Sequence, residues 1–146
     1  MQELYQEIIL DHNKRPRNYR LISNPTHMAE GHNPLCGDEM SLQFIMEGDI
    51  IKDIAFQGEG CAISKASASL LTATLKGKTI AAAKAEVGTV LELLTSENEP
   101  TTDQDSIGDL AALSGVRKFP ARIKCATLAW HTFTAAIEGK QETSSE

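Results

Sequence analysis

The periodicities along this chain predict a mixed domain of strands and helices, with the strands in the first half and helices before and after them. Three observations carry that expectation. Leu42, Phe44 and Met46 alternate with Gln43, Ile45 and Glu47, which gives a strand with one wholly apolar face. Gly48-Asp49 is a turn of the Gly-x kind, and the run that returns from it, Ile51 to Gln57, sets Ile54 and Phe56 on one side. Further on the period changes to that of a helix, with Ile80, Ala83, Val87, Val90 and Leu94 in one stripe and Ile123, Ala126, Trp130, Phe133 and Ile137 in another.

Taken in order, residues 2–14 read as a helix with Leu4, Tyr5, Ile8 and Ile9 on one side. Pro16 stops it, because the residue before a proline is pushed out of helical geometry. A short strand is expected over His27 to Gly31, and Pro34 and Gly37 then bracket a turn that carries Cys36 and Asp38. After the hairpin, Gly58 and Gly60 end the returning strand and let the backbone swing Cys61 onto the start of a helix. That helix, Ala62 to Lys76, is rich in Ala and Ser, which allows close packing on a sheet, and Gly77 stops it. A second helix spans Thr79 to Leu94. Polar residues 95–106 read as loop, and Ser106-Ile107-Gly108-Asp109 resembles a capping box that opens a short helix through Leu113. The last helix starts at Pro120, a residue suited to a first turn, and the polar stretch 139–146 is expected to be a disordered tail beyond a single domain of residues 1–138.

Bulk properties exclude several classes. With 146 residues, 41% apolar and 23% charged, the chain is an ordinary globular domain, and no run reaches the roughly 18 apolar residues of a membrane span. A net charge of −6 disfavours nucleic acid as the main partner. The charge is nevertheless uneven. Lys14, Arg15, Arg17 and Arg20 form one basic stretch, and Arg117, Lys118, Arg122 and Lys124 crowd ahead of Cys125. Glu97, Glu99, Asp103 and Asp105 fall together in the loop-like segment. Each run reads either as a solvated face or, near Cys125, as positive charge that favours a thiolate and attracts an acidic partner. The three cysteines, an odd number with no export signal, point to a reduced cytoplasmic setting and to thiol chemistry instead of disulfides.

No Cys-x-x-Cys pair occurs. If the fold gathers them, Cys36, Asp38, Cys61 and Cys125 make a set of three sulfurs and one oxygen suited to tetrahedral zinc or to an iron–sulfur cluster. Gly37 lets Cys36 and Asp38 point from one tight loop to a common centre. Cys61 stands at a helix N-terminus, where unpaired N–H groups and the helix dipole stabilise negative charge. Cys125 is placed in the first turn of the last helix, off its apolar stripe, where a packing cysteine is not expected. The competing reading is three unrelated thiols. His12, His27, His32 and His131 are further possible ligands, better read as surface or hydrogen-bonded histidines, with His32 the nearest to Cys36. No P-loop, dinucleotide fingerprint, nucleophile elbow or His-Glu-x-x-His motif is present.

Four ordered blocks give the chain a specific resemblance. They are Asp11-His12-Asn13-Lys14-Arg15-Pro16-Arg17-Asn18, Asn33-Pro34-Leu35-Cys36-Gly37-Asp38, Gly58-Glu59-Gly60-Cys61-Ala62-Ile63-Ser64, and the run from Gly115 through Lys124-Cys125 to Trp130. With them the sequence resembles the U-type iron–sulfur cluster assembly proteins (IscU/NifU N-terminal-like), in particular their SufU branch, from Tyr5 to about Phe133. Scaffold members of that family carry a histidine directly before the third cysteine, where this chain has Lys124, and a Leu-Pro-Pro-Val-Lys motif, where it has Phe119-Pro120-Ala121-Arg122-Ile123-Lys124. The 63 residues between Cys61 and Cys125 are also a longer stretch than IscU proteins have, and all three departures are similar to SufU. A lysine ammonium cannot ligate iron, which weighs against the scaffold role.

The resemblance implies a compact α+β domain, a three-stranded antiparallel sheet packed with about five helices, with a metal site at one end. It implies Zn2+ held by Cys36, Asp38, Cys61 and Cys125, with iron or a [2Fe-2S] cluster as the alternative. The implied function is that of a sulfurtransferase-like acceptor, not a stand-alone enzyme: Cys36 takes persulfide sulfur from a PLP-dependent, SufS-like cysteine desulfurase and delivers it to iron–sulfur assembly, with other Suf proteins as further partners. Arg122 and Lys124 would stabilise the persulfide or steer the desulfurase. The alternatives are a [2Fe-2S] scaffold and a zinc-stabilised adaptor that activates the desulfurase by docking.

Overall fold

The structure, a computed structural model, describes residues 2–34, 37–95, 110, 112–116, 119–140 and 142–144, with the side chains from Gln6 onward in the first helix. In chain order the described elements are α1 (Gln2–Lys14), β1 (His27–Asn33), β2 (Asp38–Glu47), β3 (Ile50–Glu59), α2 (Ala62–Leu75), α3 (Ile80–Thr95), α4 (Pro120–Ile137) and β4 (Glu142–Ser144). The sheet runs β3-β2-β1-β4, with β1–β2 and β2–β3 antiparallel and β1–β4 parallel.

The hairpin forms as the turn residues require. Glu47 pairs with Ile50, which leaves Gly48 and Asp49 as the two-residue loop, and Gly48 has φ +64°. Positive φ at the first turn position matches the right-handed twist of the two strands, and glycine adopts it without a Cβ penalty. The register shifts between Ile45 and Met46, which pair with Asp53 and Ile51, so Lys52 is the extra residue of a bulge that bends β3 near the turn. Leu42, Phe44, Ile54 and Phe56 face the core, as their alternation predicts, and α4 lies across this face with Trp130 and Phe133 fully buried. The rings of Phe44 and Phe133 meet at 5.1 Å. A segment after α1 straps the outer edge of the sheet, with the N–H of Phe56 donating to the carbonyl of Asn18 and the N–H of Arg20 donating to that of Phe56, each over 3.1 Å.

Three expectations need correction. The sheet has a fourth strand, because residues 142–144, read from sequence as polar tail, pair with β1 and cover an edge whose backbone groups would otherwise stay open. The described residues contain four α-helices, and residues 112–116 wind as a 3₁₀ segment instead of an α-helix. Cys125 sits in the second turn of α4, not its first, since the helix begins at Pro120. Most of the 95–106 loop, the proposed capping box at Ser106–Asp109 and the acidic cluster from Glu97 to Asp105 lie outside the described residues, as do Arg117 and Lys118.

Candidate metal centre

The site is built at one end of the sheet, where β1 ends, β2 begins, β3 ends, and the N-termini of α2 and α4 converge. Asn33 and Asp38 are directly opposed in the β1–β2 register, so the loop between them carries Pro34, Leu35, Cys36 and Gly37. Gly37 has φ +69°, a left-handed conformation that a side chain would strain, and it lets the chain turn into β2 with Asp38 facing inward. Asp38 is 1% exposed.

Cys61 is the N-cap of α2. Its backbone is extended and its carbonyl accepts the first intrahelical bond, from the N–H of Lys65. Its sulfur accepts the N–H of Ser64 at 3.4 Å, so the thiol takes the place that a serine or aspartate oxygen usually holds at a helix start. A sulfur held there meets the positive end of the helix dipole. Cys125, on α4, is fully buried. It does lie off the stripe of Ile123, Ala126, Trp130, Phe133 and Ile137, yet α4 is packed by α2, α3, β1, β2 and β4 and has little open face at this level. As a thiol it donates to the carbonyl of Ala121, over 3.9 Å.

These elements bring Asp38, Cys61 and Cys125 together, with one ligand atom of each lying within 4.8 Å of the other two. A tetrahedral zinc ion, with bonds of about 2.0–2.3 Å, sets neighbouring donors roughly 3.5–3.8 Å apart, so small side-chain adjustments close this set on an ion. The carboxylate is held inside the cluster: Oδ1 accepts the backbone N–H of Cys61 over 2.8 Å, and Oδ2 accepts Nδ2 of Asn33 over 3.1 Å. Gly60 makes room for it, since a Cβ at that position would come within 2.6 Å of Oδ1. The donor chemistry and the space both fit a zinc ion or an iron–sulfur cluster. Cys36, the fourth expected ligand, lies outside the described residues, between Pro34 and Gly37 on the same loop.

The other sequence candidates fall elsewhere. His32 points away from the core, because alternation on β1 puts its neighbour Asn33 inside, and its Nδ1 stands 4.0 Å from Oε1 of Glu39. It joins Glu30 and Glu142 in a separate, exposed cluster. His12 is buried, with Nδ1 2.7 Å from the Ser69 hydroxyl, and it fixes α1 on α2. His27 stacks on Phe44 at 4.8 Å. Arg122 is exposed and Lys124 half-buried on the first turns of α4. In the basic stretch 14–20, Arg17 bonds Asp11 and Arg20 bonds Asp53, each over 2.6 Å, and these hydrogen bonds hold both carboxyls below their ordinary range. Those arginines are therefore partly neutralised and stand as surface ion pairs.

Two residues of the site were not singled out from sequence. Asn33 is fully buried on the core face of β1, and the pattern Ala29-x-Gly31-x-Asn33 would have flagged a polar residue on an inward position. Gly60 reads from sequence only as a strand end, and its closeness to Asp38 depends on the pairing of β2 with β3.

A sheet end with two helix N-termini and a cluster of sulfur and carboxylate donors defines a small α+β domain with a candidate metal centre. Residues 4–138 match the NifU-like N terminal domain, and the chain belongs to that family. It is 43% identical over 134 residues to the zinc-dependent sulfurtransferase SufU of Bacillus subtilis (strain 168), covering 92% of this chain and 89% of that one. It is also 38% identical over 138 residues to the iron–sulfur cluster assembly scaffold protein IscU of Streptococcus pyogenes serotype M1, covering 94% and 85%. Among solved structures it is similar to a candidate iron–sulfur cluster assembly scaffold protein for the SUF system from Fervidobacterium islandicum AW-1, with a TM-score of 0.83 at 32% identity, covering 93% of this chain and 98% of that one.

Proposed function

We propose that this protein is a zinc-dependent sulfur acceptor in cytoplasmic iron–sulfur cluster assembly. It takes sulfur from a PLP-dependent, SufS-like cysteine desulfurase and passes it to the assembly machinery. The observation that carries this reading is the gathering of Asp38, Cys61 and Cys125 at the base of the loop that bears Cys36. The 43% identity to a zinc-dependent sulfurtransferase supports the same assignment.

Cys36, Asp38, Cys61 and Cys125 would hold the ion, and when bound it would keep the ligating thiols deprotonated at neutral pH. The rest is done by the chain. Cys36 falls in sequence between Asn33 and Asp38, which pair at the ends of β1 and β2, so this reading gives its thiolate the accepting role and keeps Asp38, Cys61 and Cys125 as the fixed donors. That thiolate attacks the terminal sulfur of the desulfurase persulfide. A new S–S bond forms on Cys36 as the old one breaks, and the electron pair leaves on the desulfurase cysteine. No external oxidant or reductant is needed. Arg122 and Lys124 supply positive charge near the N-terminus of α4, which favours the anionic persulfide and an acidic partner surface.

The test is Cys36→Ala assayed for stimulation of desulfurase turnover. The reading expects stimulation to be abolished while the fold persists. Full stimulation by the variant would assign the protein to the adaptor class, in which docking alone activates the partner. A second reading, a scaffold for a [2Fe-2S] cluster, is favoured by the named IscU scaffolds among the relatives, at 38% and 32% identity, and would use the same four residues. Anaerobic reconstitution with iron and sulfide separates the two. A stable, transferable cluster would support the scaffold, and Lys124 in place of a ligating histidine predicts that none forms.

A further inference from the structure

Asn33 is fully buried, and its amide nitrogen is shared between two of the site's ligand residues: Nδ2 lies 3.1 Å from Oδ2 of Asp38 and 3.5 Å from Sγ of Cys125. Both neighbours are acceptors once the cysteine is a thiolate, so the NH₂ end must face them, and the orientation of the amide is fixed by chemistry. Its carbonyl oxygen, Oδ1, is buried and has no hydrogen-bond partner among the described residues. Burying an unpaired carbonyl is costly, and a position serving packing alone is better filled by an apolar side chain. The residue is therefore explained by its donor end.

We propose that Asn33 is a positioning residue of the metal centre, one that fixes Asp38 as a one-oxygen ligand and lowers the donor strength of the Cys125 sulfur. The inference rests on the metal-binding part of the reading above. Asp38 is clasped from both sides, by the Cys61 N–H on Oδ1 and by Asn33 on Oδ2, so the plane of the carboxylate is set and swinging both oxygens onto one ion would break a bond. At Cys125 the N–H···S contact draws electron density from the sulfur. A thiolate so engaged is a weaker nucleophile, which leaves the sulfur-accepting role to a thiol elsewhere in the set. The register explains why an asparagine can do this: Asn33 and Asp38 are directly opposed at the mouth of the β1–β2 loop, and α4 brings Cys125 against that end of β1.

Cobalt(II) used in place of zinc reports both effects. The test compares the whole wild-type chain with Asn33→Leu, which keeps the volume and removes the donor, and Asn33→Ala, which is smaller and also removes it. Affinity is read by chelator competition and coordination by the visible spectrum. Loss of the clasp on Asp38 removes the pre-set ligand geometry, which outweighs the stronger Cys125 donor, so cobalt binding should weaken by about 10- to 100-fold. It should also move the thiolate-to-metal charge-transfer band to lower energy and reduce the d–d intensity as Asp38 closes onto the ion with both oxygens. A structural change remote from the ligands would leave the spectrum alone. Wild-type affinity and an unaltered spectrum in either folded variant overturn the proposal and leave the sulfur-acceptor reading standing. Failure of both variants to fold assigns Asn33 to fold stability and overturns the proposal as well. A wild-type protein that takes up neither cobalt nor zinc overturns both readings.

Discussion

The backbone N–H of Cys61 donates to Oδ1 of Asp38 over 2.8 Å, joining the start of α2 to the start of β2 across 23 positions of sequence. This bond makes one candidate ligand a structural support of another. The carboxylate stays inside the site because a helix terminus and a strand amide both hold it, and no rearrangement of the backbone is needed for it to meet an ion. A hard oxygen ligand beside soft thiolates is also the one most readily exchanged at the metal.

Asp38→Ala should therefore do two separable things. It removes a proposed metal ligand, so zinc content after purification should fall well below that of the wild type. It also leaves the Cys61 N–H and the Asn33 amide without their acceptor, costing roughly 1–3 kcal/mol in the metal-free protein. Asp38→Asn keeps the shape and an acceptor oxygen, and should lose metal affinity with a smaller change in stability. Metal analysis and urea denaturation of the apo-proteins check the two effects.

Two glycines divide the site from the fold. A Cβ at Gly60 would meet the side chain of Asp38, at 2.6 Å from Oδ1 and 3.1 Å from Cγ. A Cβ at Gly58 would meet backbone, at 2.1 Å from the carbonyl oxygen of Glu39. Gly60→Ala should weaken metal binding while the sheet survives. Gly58→Ala should disrupt the β2–β3 pairing and lower the melting temperature whether or not metal is present. Thermal melts with and without zinc distinguish the two.

Ser67 links the helices that carry the two described thiols. Its hydroxyl donates to the Ala126 carbonyl over 2.6 Å and accepts the Trp130 indole N–H over 2.9 Å, all of it buried. Ser67→Ala strands a donor and an acceptor, which should cost about 1–3 kcal/mol in denaturant unfolding. Trp130 fluorescence gives a direct readout of the same contact.

His131 sets a pH dependence. Burial holds its imidazole below the ordinary value of 6.5. Below pH 6.5 the unfolded chain takes up a proton that the folded chain resists, so stability rises with pH in that window. It is lost as the pH falls from 6.5 toward the folded value and levels off beneath it. His131→Gln should flatten this part of the stability profile relative to wild type. The paired carboxyls Asp11 and Asp53, lowered from 3.8, act only in more acidic solution, and there too stability is lost as the pH falls.

Most of the fold was legible because the signals were local. Alternation at Leu42–Met46, a glycine at the hairpin turn and the proline at the head of α4 each act within a few residues. The site was legible only in part. Candidate ligands could be named, but Asp38, Cys61 and Cys125 share no spacing that forces them together, and only the converging strand ends and helix starts do so. Asn33 escaped notice because a polar residue before a proline looks like loop until its partner across the register is known. The burial of Cys125 was likewise hidden, since the stripe of α4 describes one packed face and the helix is enclosed on others. β4 could not be read from Glu142-Thr143-Ser144, a polar run whose only reason to be a strand is the open edge of β1.

The measurement that tests the account most directly is the metal and persulfide content of the protein purified without added metal, before and after incubation with a cysteine desulfurase and cysteine. The account predicts about one zinc per chain from a single tetrahedral site, with a persulfide appearing on Cys36 in peptide mass spectra. Iron and sulfide in place of zinc, or a desulfurase-treated protein with no persulfide on Cys36, would contradict it.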